Sequence, residues 1–325
     1  MRVLVAGGAG YIGSVTVELL LQSGLEVVVY DNLSTGHVQA VTKGATLVAG
    51  DLADKSLLSQ TFARYGFDAV MHFAASILVG ESMVDPAKYF SNNVANVITL
   101  LNVMLEHHVN KLVFSSSAAV YGDPETSPIS ESAPLQPNNP YGESKLIVER
   151  ILGWYDRLLG LRYASLRYFN AAGAFRNYGE DHHPETHLIP IVLQAALGQR
   201  DQVMINGVDY PTSDGTCIRD YIHVIDLAQA HILALQKIEE GSQIYNLGNG
   251  AGYSVREVIE VAREITGRPI KVVEGARRPG DMAVLVASSQ RAVSELGWSP
   301  KCPALEDIVQ SAWQWHKEHP RGYEG

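Results

Sequence analysis

Tyr141 and Lys145 stand four residues apart, downstream of the serine run Ser115-Ser116-Ser117. On a helix that spacing sets both side chains on one face, about 6 Å apart along the axis. A phenol beside an ammonium and a hydroxyl is equipped to move a proton on and off an oxygen. Tyr141 is the base and acid, Lys145 the charge favouring phenolate, and Ser117 the hydroxyl bonded to the reacting oxygen. A free phenol titrates at about 10, so work as a base near neutrality requires about 4 kcal/mol in favour of phenolate. With 15 tyrosines, a Tyr-x-x-x-Lys pair arises easily by chance. Its place after a strand ending in serines singles this one out. Ser115 and Ser116 are read as residues of a backbone turn.

Proton transfer of this kind accompanies hydride transfer, and the start of the chain supplies the seat for a hydride carrier. Arg2-Val3-Leu4-Val5-Ala6 reads as a buried parallel strand and Tyr11 to Ser23 as a helix, with Gly7-Gly8-Ala9-Gly10-Tyr11-Ile12-Gly13 forming the turn between them. Gly8 allows the tight turn and Gly10 removes a Cβ from the path of a pyrophosphate. Gly13 lets helix pack on strand, and the helix N-terminus faces the phosphate charge. A second strand, Glu26 to Tyr30, ends in Asp31, about 20 residues past the turn, where a carboxylate can accept both adenosine ribose hydroxyls. A carboxylate there would repel a 2′-phosphate, so NAD rather than NADP is expected.

Further strands follow at Thr46 to Ala49, Asp68 to His72 and Lys111 to Phe114, each leading into polar or helical sequence. The alternation predicts an α/β chain: a doubly wound parallel (Rossmann) sheet, here with a second, smaller α/β substrate lobe. Ligands in such sheets lie beyond the carboxyl ends of the strands. Gly7, Asp31, Asp51, Phe73 and Ser117 all fall at those ends. Pro140 suits the first turn of a helix, and Leu146, Val148, Ile151, Leu152 and Tyr155 continue the apolar face through Leu159.

The chain resembles the UDP-glucose 4-epimerases of the extended short-chain dehydrogenase/reductase family, essentially end to end. The likeness is carried by GGAGYIG at Gly7 to Gly13, DNLSTG at Asp31 to Gly36, GDL at Gly50 to Leu52, HFAA at His72 to Ala75, SSSAAVYG at Ser115 to Gly122, PYGESK at Pro140 to Lys145 and RYFNAAG at Arg167 to Gly173. It continues through Asp209 to Ala228, YNLGNG at Tyr245 to Gly250, RRPGD at Arg277 to Asp281 and the Trp-rich terminal helix near Trp313. The resemblance implies interconversion of UDP-glucose and UDP-galactose through a 4-keto sugar, with NAD kept as a prosthetic group. It implies cofactor contacts from Gly7, Gly10, Tyr11, Ile12, Gly13, Asp31, Asn32, Leu33, Ser34, Thr35, Gly36, Asp51, Leu52, Phe73, Ala74, Ala75, Asn92, Ser115, Tyr141, Lys145 and Phe169. Substrate contacts would come from Ser117, Tyr141, Asn170, His187, Leu188, Asn206, Arg219, Arg278, Asp281 and Leu285. Arg219 and Arg278 also make sense without the resemblance, because an anionic diphosphate must find local positive charge on a chain of formal charge -10.

Four positions depart from the family pattern. Ile77 replaces a lysine that reaches the cofactor ribose, Ala119 a threonine, His187 an asparagine, and Leu285 a tyrosine or cysteine beside the sugar. A leucine smaller than tyrosine leaves room for a 2-acetamido group, so UDP-N-acetylhexosamines are alternative substrates. A nucleotide-sugar dehydratase or decarboxylase is the nearest rival. Dehydratases of this scaffold carry an Asp-Glu pair after the serine or threonine, and here those places are Ala118 and Ala119. A non-catalytic NAD sensor would have no reason to keep Ser117, Tyr141 and Lys145 together.

At 325 residues and 46% hydrophobic content the chain has room for two domains. The expected division is residues 1-174 plus about 220-251 for NAD, and about 175-219 plus 252-325 for the UDP-sugar. Negative charge argues against nucleic acid or an anionic membrane surface as a partner, and no apolar run approaches about 18 residues. The opening strand leaves no place for a leader, so a cytoplasmic protein is expected. Cys217 and Cys302 make neither a disulfide framework nor a metal spacing. His182, His183 and His187 are read as loop histidines near the substrate, with no metal expected. Asp226 reads as a helix cap. By resemblance the chain forms a homodimer through helices at about Pro86 to His108 and Tyr141 to Leu159.

Overall fold

The computed structural model describes residues 1–278 and 281–324, so Pro279 and Gly280 of the RRPGD stretch lie outside the described residues. Seven parallel strands form the main sheet: β1 (Arg2–Ala6), β2 (Glu26–Asp31), β3 (Thr46–Ala49), β4 (Ala69–His72), β5 (Lys111–Ser117), β6 (Arg162–Tyr168) and, after four short strands elsewhere, β11 (Gln243–Leu247). Their spatial order is β11-β6-β5-β4-β1-β2-β3. The order reverses between β1 and β4, the crevice where doubly wound sheets bind ligands.

Both faces of this sheet are buried, which explains why its strands read as unbroken apolar runs. Val3, Val5, Val27, Val29, Ala69, Met71 and Val113 point into one core, while Leu4, Ala6, Val28, Tyr30, Val70, Leu112 and Phe114 point into the other. The strand period of two therefore alternates between two apolar layers rather than between core and water.

The four intervening strands are β7 (Asn170–Ala172), β8 (Val203–Asn206), β9 (Ile218–Arg219) and β10 (Tyr221–His223); β12 (Tyr253–Ser254), β13 (Val272–Gly275) and β14 (Val284–Leu285) follow β11. A third core gathers Ile189, Val192, Val203, Ile205, Val258, Ile259, Ile308, Val309 and Trp313 around the helices Leu188–Ala196, Val255–Thr266 and Leu305–Glu318. The helix Val255–Thr266 starts in a reciprocal cap between Ser254 and Glu257 and stops at Gly267, whose φ is 62°. Asp220, buried in the link from β9 to β10, accepts backbone N–H bonds from Asn249 (2.8 Å), Gly250 (3.0 Å) and Ala287 (3.0 Å). Burial raises its pKa, and those three N–H groups oppose the rise.

Several expectations change here. The serines are not a turn, since Ser115, Ser116 and Ser117 are the last three residues of β5. Asp226 is not the cap of its helix. His223 holds that role through its Nδ1, which accepts from Ile225 N, while Asp226 sits in the first turn and accepts from Lys301 N and Cys302 N. The helix Gln290–Leu296 and Trp298, assigned to the lobe by the division at 252, pack into the core of the main sheet with Ala292 and Leu296 inward. Residues 86–106 form helix in three pieces, Pro86–Phe90, a π turn at Ser91–Ala95 and Asn96–Glu106. Among the described residues, no helix is long and apolar enough to cross a membrane.

Candidate active site

At the end of β1 the glycine turn is built so that only one side of it is open. Gly7 has φ 79°, and a Cβ added there would lie 2.5 Å from Ala74 N. A Cβ on Gly13 would lie 2.1 Å from Gly7 O, whereas one on Gly10 meets nothing nearer than 3.5 Å. Gly10 also precedes the helix Tyr11–Gln22, whose N-terminus has no side-chain cap and no acidic residue in its first turn. Free N–H groups facing an open glycine make a seat for a pyrophosphate. The cradle thus fits a dinucleotide on its own geometry.

Around this turn the sequence-predicted cofactor residues are tied to one another. Asp31 accepts from Ala9 N and Leu33 N, both at 2.9 Å; burial raises its carboxyl pKa, and these two bonds oppose the rise. Leu33 adopts a left-handed φ of 59°, and Asn32 Oδ1 accepts from the Ser34 N–H. Asn32 also donates to Asp51 at 2.7 Å, joining the ends of β2 and β3. Gly36 packs against Ala9, with Thr35 beside it. Leu52 lies in the sheet core. Phe73 and Ala74 donate backbone N–H bonds to Ala6 O, and Ala75 continues that loop. Asn92, on the π turn, donates to Ser76 Oγ at 3.0 Å. π turns recur at functional sites. Ile77, the departure from the family's lysine, is exposed.

The helix Pro140–Leu159, which carries the candidate catalytic pair Tyr141 and Lys145, begins at Asn139, whose side chain accepts from Gly142 N at 2.9 Å. Gly142 has to be glycine, because a Cβ there would sit 2.4 Å from Ala119 O, on the segment that follows Ser117. This contact brings Tyr141 to the end of β5. Burial pushes the Tyr141 phenol up, and hydrogen bonding with the Ser117 hydroxyl opposes the rise. Ser117 Oγ also accepts from Ala119 N at 3.2 Å. Tyr89 stacks edge-on against Tyr141 at 6.4 Å.

Lys145 is 2% exposed, and its Nζ donates to Ser115 O at 2.9 Å. The ammonium lies 5.8 Å from the centre of the Tyr141 ring and 5.2 Å from that of Phe114. Burial lowers its pKa from 10.5 to about 7, against the opposing charge of Glu149. Lys145 gives its hydrogen bond to the strand carbonyl of Ser115, and it is not among the groups that shift the Tyr141 phenol here. Beside it His72 is fully buried and pushed down to about 3 by burial and by the Lys145 charge. The Ser115 hydroxyl is buried without a partner.

Beneath these groups lies a network that sequence reasoning missed. Glu149, one turn beyond Lys145, accepts from Ser116 Oγ (2.6 Å) and from both Nε (2.9 Å) and Nη2 (2.5 Å) of Arg167. Arg167 Nη1 donates to Tyr121 Oη at 2.9 Å, and that hydroxyl donates to Asn246 Oδ1 at 2.6 Å. Strands β5, β6 and β11 are thereby locked to the catalytic helix. No local pattern in the sequence announces the pair, because 18 residues separate its members.

The residues expected from the sequence to contact substrate fall into neighbouring groups on the lobe side. Asn170 donates through Nδ2 to Asp220 O at 2.8 Å. Arg219 Nη2 meets Asp281 Oδ1 at 2.6 Å, and its Nη1 donates to Ile218 O and Met282 O. Asn206, with its amide oxygen turned inward, accepts from Arg278 Nε and Nη2 at 3.1 and 3.0 Å. Leu285 pairs in register with Arg219 and packs near Ala118, Val120, Leu146 and Phe169, so it links the lobe to the catalytic side. His187 caps the start of the Leu188 helix by position, and its Nδ1 lies 2.5 Å from Glu180 Oε1.

Comparison with known proteins agrees with this geometry. The family model for the NAD dependent epimerase/dehydratase family matches residues 3–248. A UDP-glucose 4-epimerase from Halalkalibacterium halodurans is 56% identical over 327 residues, spanning 99% of this chain and 98% of that one. A crystal structure of a UDP-glucose 4-epimerase superposes with a TM-score of 0.98 at 51% identity, covering 100% of both chains. The enzyme of that name from Bifidobacterium longum, solved in complex with NAD+ and UDP, gives a TM-score of 0.94 at 39% identity, with 99% of this chain and 100% of that one covered. With cradle, serine, tyrosine and lysine all in place, the chain belongs to the NAD dependent epimerase/dehydratase family, among its UDP-glucose 4-epimerases.

Proposed function

We propose that the chain interconverts UDP-glucose and UDP-galactose by inverting C4 of the hexose through a 4-keto sugar. The observation that carries this reading is the Tyr141 phenol facing the Ser117 hydroxyl, with the Lys145 ammonium alongside, at the strand ends next to an open dinucleotide cradle. When bound, NAD supplies a two-way hydride store for C4. Tyr141 takes the O4 proton as the hydride leaves and returns it when C4 is reduced on its opposite face. Ser117 bonds the reacting oxygen throughout, and Lys145 would favour the deprotonated phenol and help hold the nicotinamide ribose when NAD is bound. Arg219, Arg278, Asn170, Asn206, Leu188 and Asp281 hold the UDP moiety, with His187 and Leu285 toward the sugar. A firm hold on the nucleotide and a loose one on the hexose let the keto sugar present either face.

Ala118 and Ala119 support epimerisation over dehydration, since neither offers an acid or base to expel a 6-hydroxyl. The smaller Leu285 supports acceptance of UDP-N-acetylhexosamines. The decisive experiment incubates purified protein with UDP-galactose and no added NAD, then looks for UDP-glucose. Product under those conditions supports both the reaction and retention of the cofactor; no product with or without NAD refutes the reading.

We further read the chain as two interleaved domains, residues 1–174 plus about 220–251 on the NAD side and most of the remainder on the UDP-sugar side, with the helix Gln290–Leu296 returning to the sheet. A homodimer through the catalytic helix is supported by its exposed apolar face, where Trp154 is 56%, Leu158 71% and Leu159 54% exposed, and by exposed Phe90 on the helix Pro86–Phe90. The unpaired thiols Cys217 and Cys302 support a cytoplasmic setting.

A further inference from the structure

Four side chains, among them the sugar-side His187, converge on the segment between β7 and the helix Leu188–Ala196. Glu180, His182, Glu185 and His187 each offer one ligand atom, and these atoms all lie within 4.8 Å of one another. We propose that they form a closed, tetrahedral site for a divalent transition-metal ion of the zinc class, which clamps this segment in place.

The geometry matches such an ion. Metal–ligand bonds of about 2.0–2.1 Å in a tetrahedron set its edges at about 3.3–3.4 Å. His182 Nδ1 lies 3.2 Å from Glu180 Oε1 and 3.9 Å from Glu185 Oε2, and His187 Nδ1 lies 3.4 Å from Glu185 Oε1 and 2.5 Å from Glu180 Oε1. These separations lie around the tetrahedral edge: binding an ion would open the His187–Glu180 pair and draw the wider pairs inward from as much as 4.8 Å.

Charge points the same way. Glu180 and Glu185 are 4% and 8% exposed, and among the described residues their ion-pair partners are these two imidazoles alone, with no lysine or arginine. Two buried carboxylates are costly without compensation, and one dication cancels both. His182 Nδ1 is buried with no hydrogen-bond partner, although a carboxylate oxygen stands 3.2 Å away. A nitrogen that faces a carboxylate at this range either gives it a proton or shares a cation with it. Glu185 Oε1 accepts from Thr186 N (2.7 Å) and His187 N (2.8 Å), which fixes the carboxylate as outer contacts fix metal ligands.

Two imidazole nitrogens and two carboxylate oxygens favour zinc-like ions over magnesium or calcium, which prefer all-oxygen sites. Four protein ligands leave no open position, so the ion is structural and takes no part in the sugar chemistry. Its place explains its use. His182 packs edge-on to Tyr11 of the glycine turn at 6.4 Å, and Glu180, His182 and Glu185 line a cavity of about 280 Å³ with Trp315 and His316 of the last long helix and with His319 after it. One ion there would join the lobe segment to the cofactor turn and to the end of the chain.

The test uses untagged full-length protein and does not depend on its activity. Metal content after dialysis against metal-free buffer should approach one zinc-class ion per chain. After chelation, Zn²⁺ alone should rebind saturably and raise the thermal midpoint, and Co²⁺ alone should give the intense visible bands of four-coordinate cobalt. His182→Gln and Glu180→Gln should each weaken Zn²⁺ binding beyond the about 10–100-fold that loss of an outer contact costs. Absence of saturable Zn²⁺ binding and of cobalt bands in the unaltered protein overturns the site and leaves an ion-pair cluster. So does unchanged metal content in both variants. Should either variant fail to fold, the cobalt titration of the unaltered protein decides alone.

Discussion

Tyr141→Phe is the sharpest change at the scale of single residues. It removes one oxygen from a half-buried ring, so the fold and the dinucleotide cradle should persist. Turnover should drop by about 10²–10⁴-fold, the range general acid–base catalysis supplies, while the NAD content of the purified protein stays at the unaltered level. Retained turnover would remove Tyr141 from the reaction. Lys145 yields a pH test. Because burial lowers its pKa from 10.5 to about 7, the unfolded chain holds a proton across that window which the folded chain has released. The Lys145 contribution to stability therefore rises with pH from about 7 to about 10.5. In denaturation of the cofactor-free protein, Lys145→Met should be the more stable form near neutrality, and the gap should close toward pH 10. Leu285 tests substrate breadth. The unaltered protein should turn over UDP-GlcNAc, and Leu285→Tyr should lower that rate more than the UDP-glucose rate; unaltered turnover below about a hundredth of the UDP-glucose rate would sink the idea. The proposed reacting residues could be picked out because Tyr141, Lys145 and the glycines sit in local patterns whose spacing reflects a single turn of backbone. Glu149 and Arg167 were not, since they belong to one site only after a helix and a strand have packed.

At the scale of elements, the Glu149–Arg167 pair governs how the catalytic helix meets β5 and β6. Arg167→Met leaves a buried carboxylate facing only Ser116 and should cost about 3–5 kcal/mol in urea denaturation. Replacing both partners, as in Glu149→Leu with Arg167→Met, should recover much of that loss while disturbing the alignment of Lys145. If the single change costs no more than the double one, the pair is not what locks the helix. Strands β1 to β4 were readable within a residue; for β1, β2 and β4 burial on both faces demands continuous apolar sequence, while the edge strand β3 is only half-covered. β5 was read too short for a related reason. A serine in a fully covered strand looks polar and loop-like, yet Ser116 is satisfied by Glu149 from a distant part of the chain. Asp226 misled in the same manner, as its carboxylate serves the backbone of Lys301 and Cys302 rather than its own helix.

For the whole molecule, self-association is the property most open to test. Leu158→Glu puts a charge into the exposed apolar face of the catalytic helix and should convert a dimer to monomer in sedimentation, without loss of NAD. Sedimentation as a monomer by the unaltered protein would end that reading. Five of the seven main-sheet strands were legible from alternation, whereas Arg162–Tyr168 and Gln243–Leu247 were not read as strands. The lobe was less legible, since its strands of two to four residues carry almost no periodic signal and its elements are borrowed from distant stretches. The return of Gln290–Leu296 to the sheet has no sequence mark beyond an ordinary amphipathic turn.

Asp220 carries a last implication. Its one carboxylate fastens backbone from the 249–250 turn and from Ala287 at the point where the chain passes between sheet and lobe. Prising the halves apart would strand a buried anion, so a wide hinge is an expensive motion for this protein. An oxidised hexose that must show first one side and then the other to the same chemistry consequently finds stationary walls around it. In the proposed reaction the turning would fall to the guest rather than to the protein, and variants that slacken the Asp220 knot should let that sugar wander off before it is reduced.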